Sequence, residues 1–225
     1  MARTLLTEQD IRDAARNGLR AVPVPAGALV TPSARDAAKA LGIEIVVAAP
    51  AGEPVTGTPV QAVVHTPEQK AGVGAKGFVV AIGSDHGGFR LKEDLRGFVL
   101  DLGHTVIDVG THTDAPCDYP DLAYAVARLV AEGKADRGIA IDAIGTASAI
   151  VANKVPGIRA ALATTEYAVR SSREHNDANV LTLGGRVMGT DLARTLVKVW
   201  LETWFGGGRH QQRLRKISDI EHRLL

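Results

Sequence analysis

Gly138-Ile139-Ala140-Ile141-Asp142-Ala143-Ile144-Gly145-Thr146-Ala147-Ser148 decides the fold, because it runs from a continuous apolar stretch through a small-residue turn straight into a helix start. An apolar run without polar alternation belongs to a strand covered on both faces, as parallel strands are. The same order repeats on either side of it. Apolar runs of strand length stand at 78–82, 105–109, 138–141, 158–163 and 180–183. Amphipathic stretches of helix length separate or follow them at 91–102, 122–131, 146–154, 167–175 and 191–203. Strands that alternate with helices predict a five-stranded parallel sheet with right-handed connections, a three-layer α/β sandwich over residues 77–225. The last segment, 211–225, is basic and amphipathic and has no strand after it. Either it packs on this sheet or it reaches to another subunit.

Upstream the composition changes. Residues 48–76 turn to Pro, Gly, Ala and Thr, and 60–76 read as linker. Gly72-x-Gly74-x-x-Gly77 matches a dinucleotide fingerprint on paper, yet it precedes a strand and opens no helix, so it fails the context that the fingerprint requires. Residues 1–59 form a small appendage. It holds a polar helix at 7–17, turns around Pro23, Pro25 and Gly27, and a second helix entered at Thr31-Pro32-Ser33. A hydroxyl cap followed by proline suits a helix start, and Gly42 stops this one before a short strand at 43–47. The apolar content of this piece is modest, which limits its core.

Bulk composition removes several function classes. Of 225 residues 45% are hydrophobic but only 4% aromatic, which suits tightly packed helix-on-sheet layers of Ala, Val, Ile and Leu. A net charge of +1 offers no general pull toward nucleic acid or an anionic membrane. Cys117 is the only cysteine, so neither a disulfide framework nor a cysteine zinc site is expected. His65, His104, His112 and His222 read as surface residues without metal-ligand spacing, and no metal or cofactor is expected. The start of the chain lacks the apolar core of a secretory signal and no run approaches a membrane span, so a cytoplasmic protein is the default.

In open parallel sheets, ligands bind beyond the carboxyl ends of the strands. The loops nominated there are Ser84-Asp85-His86-Gly87-Gly88, Asp142 to Ser148, the stretch leading to His175-Asn176-Asp177, and Gly184-Gly185-Arg186. Each has a plain reading beside the functional one. Asp85 can serve only as a cap, and His175-Asn176-Asp177 only as a polar helix exit. Arg209 and Arg213 stand four apart, a spacing that places two guanidinium groups on one helix face, where they can fork a phosphate or simply meet solvent. Asp219 and Glu221 lie close by and no aromatics are interleaved, which argues against nucleic acid.

Several ordered motifs carry a resemblance. Gly83-Ser84-Asp85-His86-Gly87-Gly88-Phe89-x-Leu91-Lys92, Asp118-Tyr119-Pro120, Ala152-Asn153-Lys154-x-x-Gly157-x-Arg159-Ala160, His175-Asn176-Asp177-x-Asn179 and Gly207-Gly208-Arg209-His210-Gln211-x-Arg213 resemble the ribose-5-phosphate isomerase B family, which includes the galactose-6-phosphate isomerase subunits. The resemblance implies a flavodoxin-like fold, a homodimer or homotetramer with active sites shared across an interface, and metal-independent aldose–ketose isomerisation of a sugar phosphate. It implies that His175 helps open the sugar ring and that Asp85 and His86 contact the sugar. Tyr119 and Asn176 would line the site, while Arg186, Arg209 and Arg213, beside His210, would hold the phosphate. The amides of the glycine-rich turn at Gly145 would face the enediolate oxygens.

One loop departs from the family pattern. Where many members carry Cys-Gly-Thr-Gly-x-Gly, the cysteine being the base, this chain has Asp142, Ala143, Ile144, Gly145, Thr146 and Ala147. The alternative glutamate of other members falls at Ser148. Three readings are open: Asp142 is the base, its pKa raised by burial; the chain is a half-site subunit needing a paralogue; or it is a sugar-phosphate-binding scaffold. Finally, Leu6-Thr7-Glu8-Gln9-Asp10-Ile11 and Val24-Pro25-Ala26-Gly27-Ala28-Leu29-Val30-Thr31-Pro32-Ser33-Ala34-Arg35 are similar to N-terminal segments of ethanolamine-utilisation microcompartment enzymes. That implies either docking to shell or core proteins of a bacterial microcompartment or a plain accessory subdomain.

Overall fold

The computed structural model describes residues 5–24, 29–47, 60–66 and 77–224. Of the linker expected at 60–76, residues 67–76, with all but the last glycine of the fingerprint, lie outside them, as does the stretch 48–59 of the appendage. The chain divides into two compact units, Met1–Thr56 and Gly57–Leu225.

In the first unit the elements are β1 (Leu5–Leu6), α1 (Glu8–Arg16), β2 (Ala21–Val24), β3 (Leu29–Val30), α2 (Pro32–Leu41) and β4 (Glu44–Val47). β1 pairs with β3 and β2 with β4, each in parallel. A reciprocal capping box opens α1: Thr7 Oγ1 accepts from Asp10 N–H while the Asp10 carboxylate accepts from Thr7 N–H. Thr31 caps α2, Pro32 begins it, and Gly42 ends it in the left-handed region. Ile11, Ala34, Ala37, Ala38 and Ile43 centre a core made largely of alanine.

The second unit runs β5 (Val63–His65), β6 (Val79–Ser84), α3 (Phe89–Asp101), β7 (Thr105–Asp108), α4 (Tyr119–Ala131), β8 (Arg137–Asp142), α5 (Thr146–Ala152), β9 (Ala160–Leu162), α6 (Glu166–Glu174), β10 (Val180–Gly184), α7 (Thr190–Glu202) and α8 (Arg209–Leu224). The sheet order is β5-β7-β6-β8-β10-β9. β6 to β10 are the parallel strands read from the apolar runs. Two details differ from expectation. A sixth strand, β5, emerges from the stretch read as linker and pairs antiparallel along the edge of β7, with Val64 opposite Ile107. The last two parallel strands also exchange places relative to the flavodoxin order, so the short β9 takes the edge and the fully buried β10 the interior.

Side-chain alternation builds two cores. Ile82, Ile139, Ile141, Leu181 and Leu183 face α3, α6 and α7. Ala81, Ala140 and Val180 face α4 and α5, and the smaller residues bring those helices close. One ion pair is buried between layers: Lys92 Nζ of α3 reaches Asp108 Oδ2 at the end of β7 at 2.5 Å. At the outer edge of β9, the Asn153 carboxamide donates to Ala160 O at 2.9 Å and accepts from Ala160 N–H at 2.8 Å. Two histidines read as surface residues are engaged instead: His104 Nδ1 accepts from Phe78 N–H, and His65 meets the Arg96 guanidinium. α8 packs back on its own unit, burying Leu214 and offering Glu221 Oε1 to Gly157 N–H. Among the described residues no helix is long and apolar enough to cross a membrane.

Candidate active site

The chain leaves β6 for β7 on one side and returns to β8 on the other, so a crevice opens between the carboxyl ends of β6 and β8. Three loops are stitched together there. Asp85 N–H donates to Ile141 O at 3.1 Å, Gly185 N–H to Asp142 O at 2.7 Å and Arg186 N–H to Ala143 O at 3.0 Å. The approach is so close that a Cβ on Gly185 would lie 2.6 Å from Gly87 O. Beyond these loops lies a cavity of about 370 Å³ lined by Asp85, Tyr119, Asp142, Ile144, Thr146 and Ile150, among others. Of the expected residues, Asp85, Tyr119 and Asp142 therefore share one space. Thr146 belongs to the nominated loop, whereas Ile150 was not singled out in the sequence, although its i, i+4 spacing from Thr146 on a helix that opens at the crevice is a usable signal.

Asp142 is a clamp. Its Oδ1 accepts from Ile144 N–H at 2.7 Å and Gly145 N–H at 2.5 Å, and its Oδ2 accepts from Ser148 N–H at 2.7 Å. Burial pushes its pKa up, but the Ser148 hydroxyl and the amides of Gly145, Ser148 and Ile144 push it down, and the net direction is downward. Hydrogen bonds to a charged acceptor contribute about 1.5–3 kcal/mol each, so several of them outweigh the desolvation of one carboxylate. The expected rise in pKa is thus reversed. The Gly145 amide, expected to face a ligand oxygen, is turned to Asp142 instead. Gly145 itself has φ +90°, and a Cβ there would meet the Leu183 carbonyl carbon at 2.9 Å.

Asp85 is held more loosely. It is buried, and its Oδ1 accepts from Gly88 N–H at 3.0 Å at the entry to α3. Oδ2 accepts no hydrogen bond from the described residues. His86 Nδ1 faces the backbone of Cys117, whose N–H donates to it at 3.3 Å.

Arg186 follows β10 at the same carboxyl edge, whereas His175, Asn176, Arg209, His210 and Arg213 lie at the other edge. α6 runs back against the strands, so His175, Asn176 and Asp177 come just before β10, beside the amino ends of β8 and β9. The neighbouring Asn179 O accepts from Gly138 N–H and its Oδ1 from Arg159 N–H. α7 returns to the same edge, where Gly206 N–H meets Glu174 O and the start of α8 lays His210 on His175. The two rings stack at 4.3 Å between centroids, 11° from parallel. Desolvation lowers the His210 pKa, and His175, Arg209 and Arg213 lower it further against Glu174. Arg209 and Arg213 make this corner positive, and among the described residues His210 Nδ1 is buried there without a partner. Asn176 lines a different space, a cavity of about 680 Å³ with Asn153, Ile217 and Ile220. At about 3.3 Å a residue, β8 separates the two edges by roughly 16 Å. The expectation that His175 and Asn176 stand at the carboxyl edge is therefore corrected: the length of α6 carries them away from it.

Residues 80–217 match the family model for ribose/galactose isomerases. The chain belongs to the ribose/galactose isomerase family. It is 45% identical over 144 residues to ribose-5-phosphate isomerase B of Escherichia coli, covering 64% of this chain and 97% of that protein. It is 38% identical over 144 residues to D-erythrulose-4-phosphate isomerase of Pectobacterium atrosepticum, 64% of this chain and 95% of the other. The structure of Clostridium thermocellum ribose-5-phosphate isomerase B matches with a TM-score of 0.65 at 51% identity, covering 65% of this chain and 99% of that one. As a ribose/galactose isomerase, the chain keeps its polar residues in two sets, one at each edge of the sheet. The family match begins at residue 80, so β5 and the first unit lie outside it.

Proposed function

We propose that the chain interconverts an aldose phosphate and its ketose, ribose 5-phosphate and ribulose 5-phosphate first, through an enediolate, at a site completed by a second copy of itself. The separation of the two polar sets carries this reading. Groups acting on one small substrate must come within hydrogen-bond reach of it, about 2.6–3.2 Å, and sets some 16 Å apart in one chain do not. A two-fold dimer resolves this by setting the carboxyl edge of one protomer against the amino edge of its partner. Asp85, His86 and Tyr119 then hold the sugar, and Arg186 approaches it from the β10 turn. His175, oriented by Ser171 Oγ at 3.0 Å from its Nδ1, opens the ring from the other protomer. Asn176 sits beside it, while Arg209, Arg213 and His210 take the phosphate, which supplies the missing anion of that positive cluster. Exposed Ile144 and Ile150 on the cavity wall are apolar surface of the kind that a partner covers. No step requires a metal, and a tetramer is a pair of such dimers.

The test is complementation. Asp85→Asn and His175→Asn homodimers, each nearly inactive on ribose 5-phosphate, should regain about a quarter of wild-type activity after mixing and subunit exchange, because half of the dimers then hold one intact site of two. Recovery near zero would mean that each chain houses its whole site.

The Asp142 clamp favours a second reading, in which the chain is a half-site subunit or a sugar-phosphate-binding scaffold. It predicts no turnover of any aldose phosphate by the pure chain, and turnover once a cysteine-bearing paralogue is co-expressed if it is a half-site. Residues 1–59 act as an assembly or docking element, and the motifs quoted above favour the interior of a bacterial microcompartment as its setting. A fluorescent fusion of residues 1–60 should form foci only in cells making shell proteins, and diffuse signal in both backgrounds would remove this role.

A further inference from the structure

The family's usual bases are absent here, and two carboxylates face the cavity in their stead. We infer that Asp85, not Asp142, carries the proton between the two carbons. This rests on the isomerase reading above and names the base for it.

The two carboxylates differ in what is left for a substrate. Asp142 spends both oxygens on three backbone N–H groups at 2.5–2.7 Å, and protonation at either oxygen would break contacts that shape the turn. Asp85 spends Oδ1 on a single, longer contact with Gly88 N–H. Its Oδ2 meets no donor among the described residues, and the side chain lines the cavity beside Tyr119. The position is fixed from two sides. Asp85 N–H is bonded to Ile141 O on the neighbouring strand, and a Cβ on Gly87 would fall 3.1 Å from Asp85 Oδ1 and 3.2 Å from the Ala143 Cβ. A carboxylate held rigidly through one oxygen, with the other open to the cavity, is the arrangement that suprafacial proton transfer requires.

The step balances without a further reactant. In the open-chain aldose, Asp85 Oδ2 takes the proton from C2. The C2–H electron pair forms the C1–C2 double bond, and the carbonyl pair moves onto O1. The hydroxyl proton on O2 passes to O1, the C2–O2 bond becomes the carbonyl, and the double-bond pair takes the proton from Asp85 at C1. Asp85 ends as it began. Asp142 acts as a positioning residue that keeps the turn after β8 closed beside it.

Hydrogen exchange separates these roles. Full-length protein is incubated with ribose 5-phosphate in deuterated water, and label at C2 of the aldose and C1 of the ketose is followed by NMR, with binding measured by calorimetry and folding by thermal melts. Asp85→Asn should lose about 10²–10⁴-fold in exchange, the usual contribution of a general base, while binding ribose 5-phosphate within about tenfold of wild type. Asp85→Glu should restore part of the exchange. Asp142→Asn should melt earlier but exchange within about tenfold of wild type. Exchange abolished by Asp142→Asn in a folded, substrate-binding protein, or surviving Asp85→Asn, would overturn the assignment alone. Absence of exchange by the wild-type chain on any aldose phosphate would remove the isomerase reading and this assignment together.

Discussion

A carboxylate at position 142 organises the turn after β8 by gathering three amides onto itself. Replacing it with alanine leaves those donors buried without an acceptor, at about 1–3 kcal/mol for each one not rescued by water. Asp142→Ala should therefore lower stability by roughly 3 kcal/mol, measured by urea unfolding, and Asp142→Asn by less, since one amide oxygen can still accept. The pH dependence follows in sign. The folded pKa lies below the ordinary value, so the stabilisation is complete above that value and is lost as pH falls toward the folded pKa. The gap between wild type and Asp142→Asn should thus narrow below about pH 4. Sequence placed Asp85 just after its strand and Asp142 at the carboxyl end of its own, one residue inside the strand rather than beyond it, because a strand end is legible from an apolar run. The direction of the Asp142 shift was not legible. Burial and hydrogen bonding oppose each other there, and the number of amides turned inward is a property of the folded loop.

Single elements explain the other difference. α6 has nine residues and rises about 1.5 Å with each, which returns the chain to the amino edge before β10 begins. His175 was therefore recognisable as a residue type and by its motif, whereas its edge depended on helix direction. β5 was hidden for another reason. Three residues between proline-rich stretches show no periodicity, and only pairing with β7 makes them a strand. At the end of β7, Asp108 holds Lys92, and both side chains are almost without solvent exposure. Lys92→Met or Asp108→Asn alone should cost less than the roughly 3–5 kcal/mol of a fully unpaired buried charge, because Glu93 still meets Lys92 and Arg96 still stands 3.9 Å from Asp108. The double variant should lose clearly less than the sum, a coupling that denaturant titration of all four proteins would measure.

At the scale of the molecule, the two units carry separate cores, and the family match falls entirely within the second. A chain lacking residues 1–56 should keep its secondary structure by circular dichroism and its kcat on ribose 5-phosphate within about twofold, since domains with their own cores fold as units. A loss of most turnover in that truncated chain would tie the first unit to catalysis. If the site is completed by a second copy, as proposed, specific activity should fall on dilution below the dimer dissociation constant, in step with the mass measured by light scattering.

The Asn153 carboxamide on the margin of β9 has a consequence for how far the sheet can grow. Ala160 offers an N–H and a C=O outward, the pattern by which a foreign strand adds to a sheet, and one side chain occupies both. β5 fills the opposite margin with the chain's own backbone. Asn153 thus acts as an end-stop at the β9 margin, and Asn153→Ala should leave the melting temperature almost unchanged while concentrated protein becomes turbid on standing.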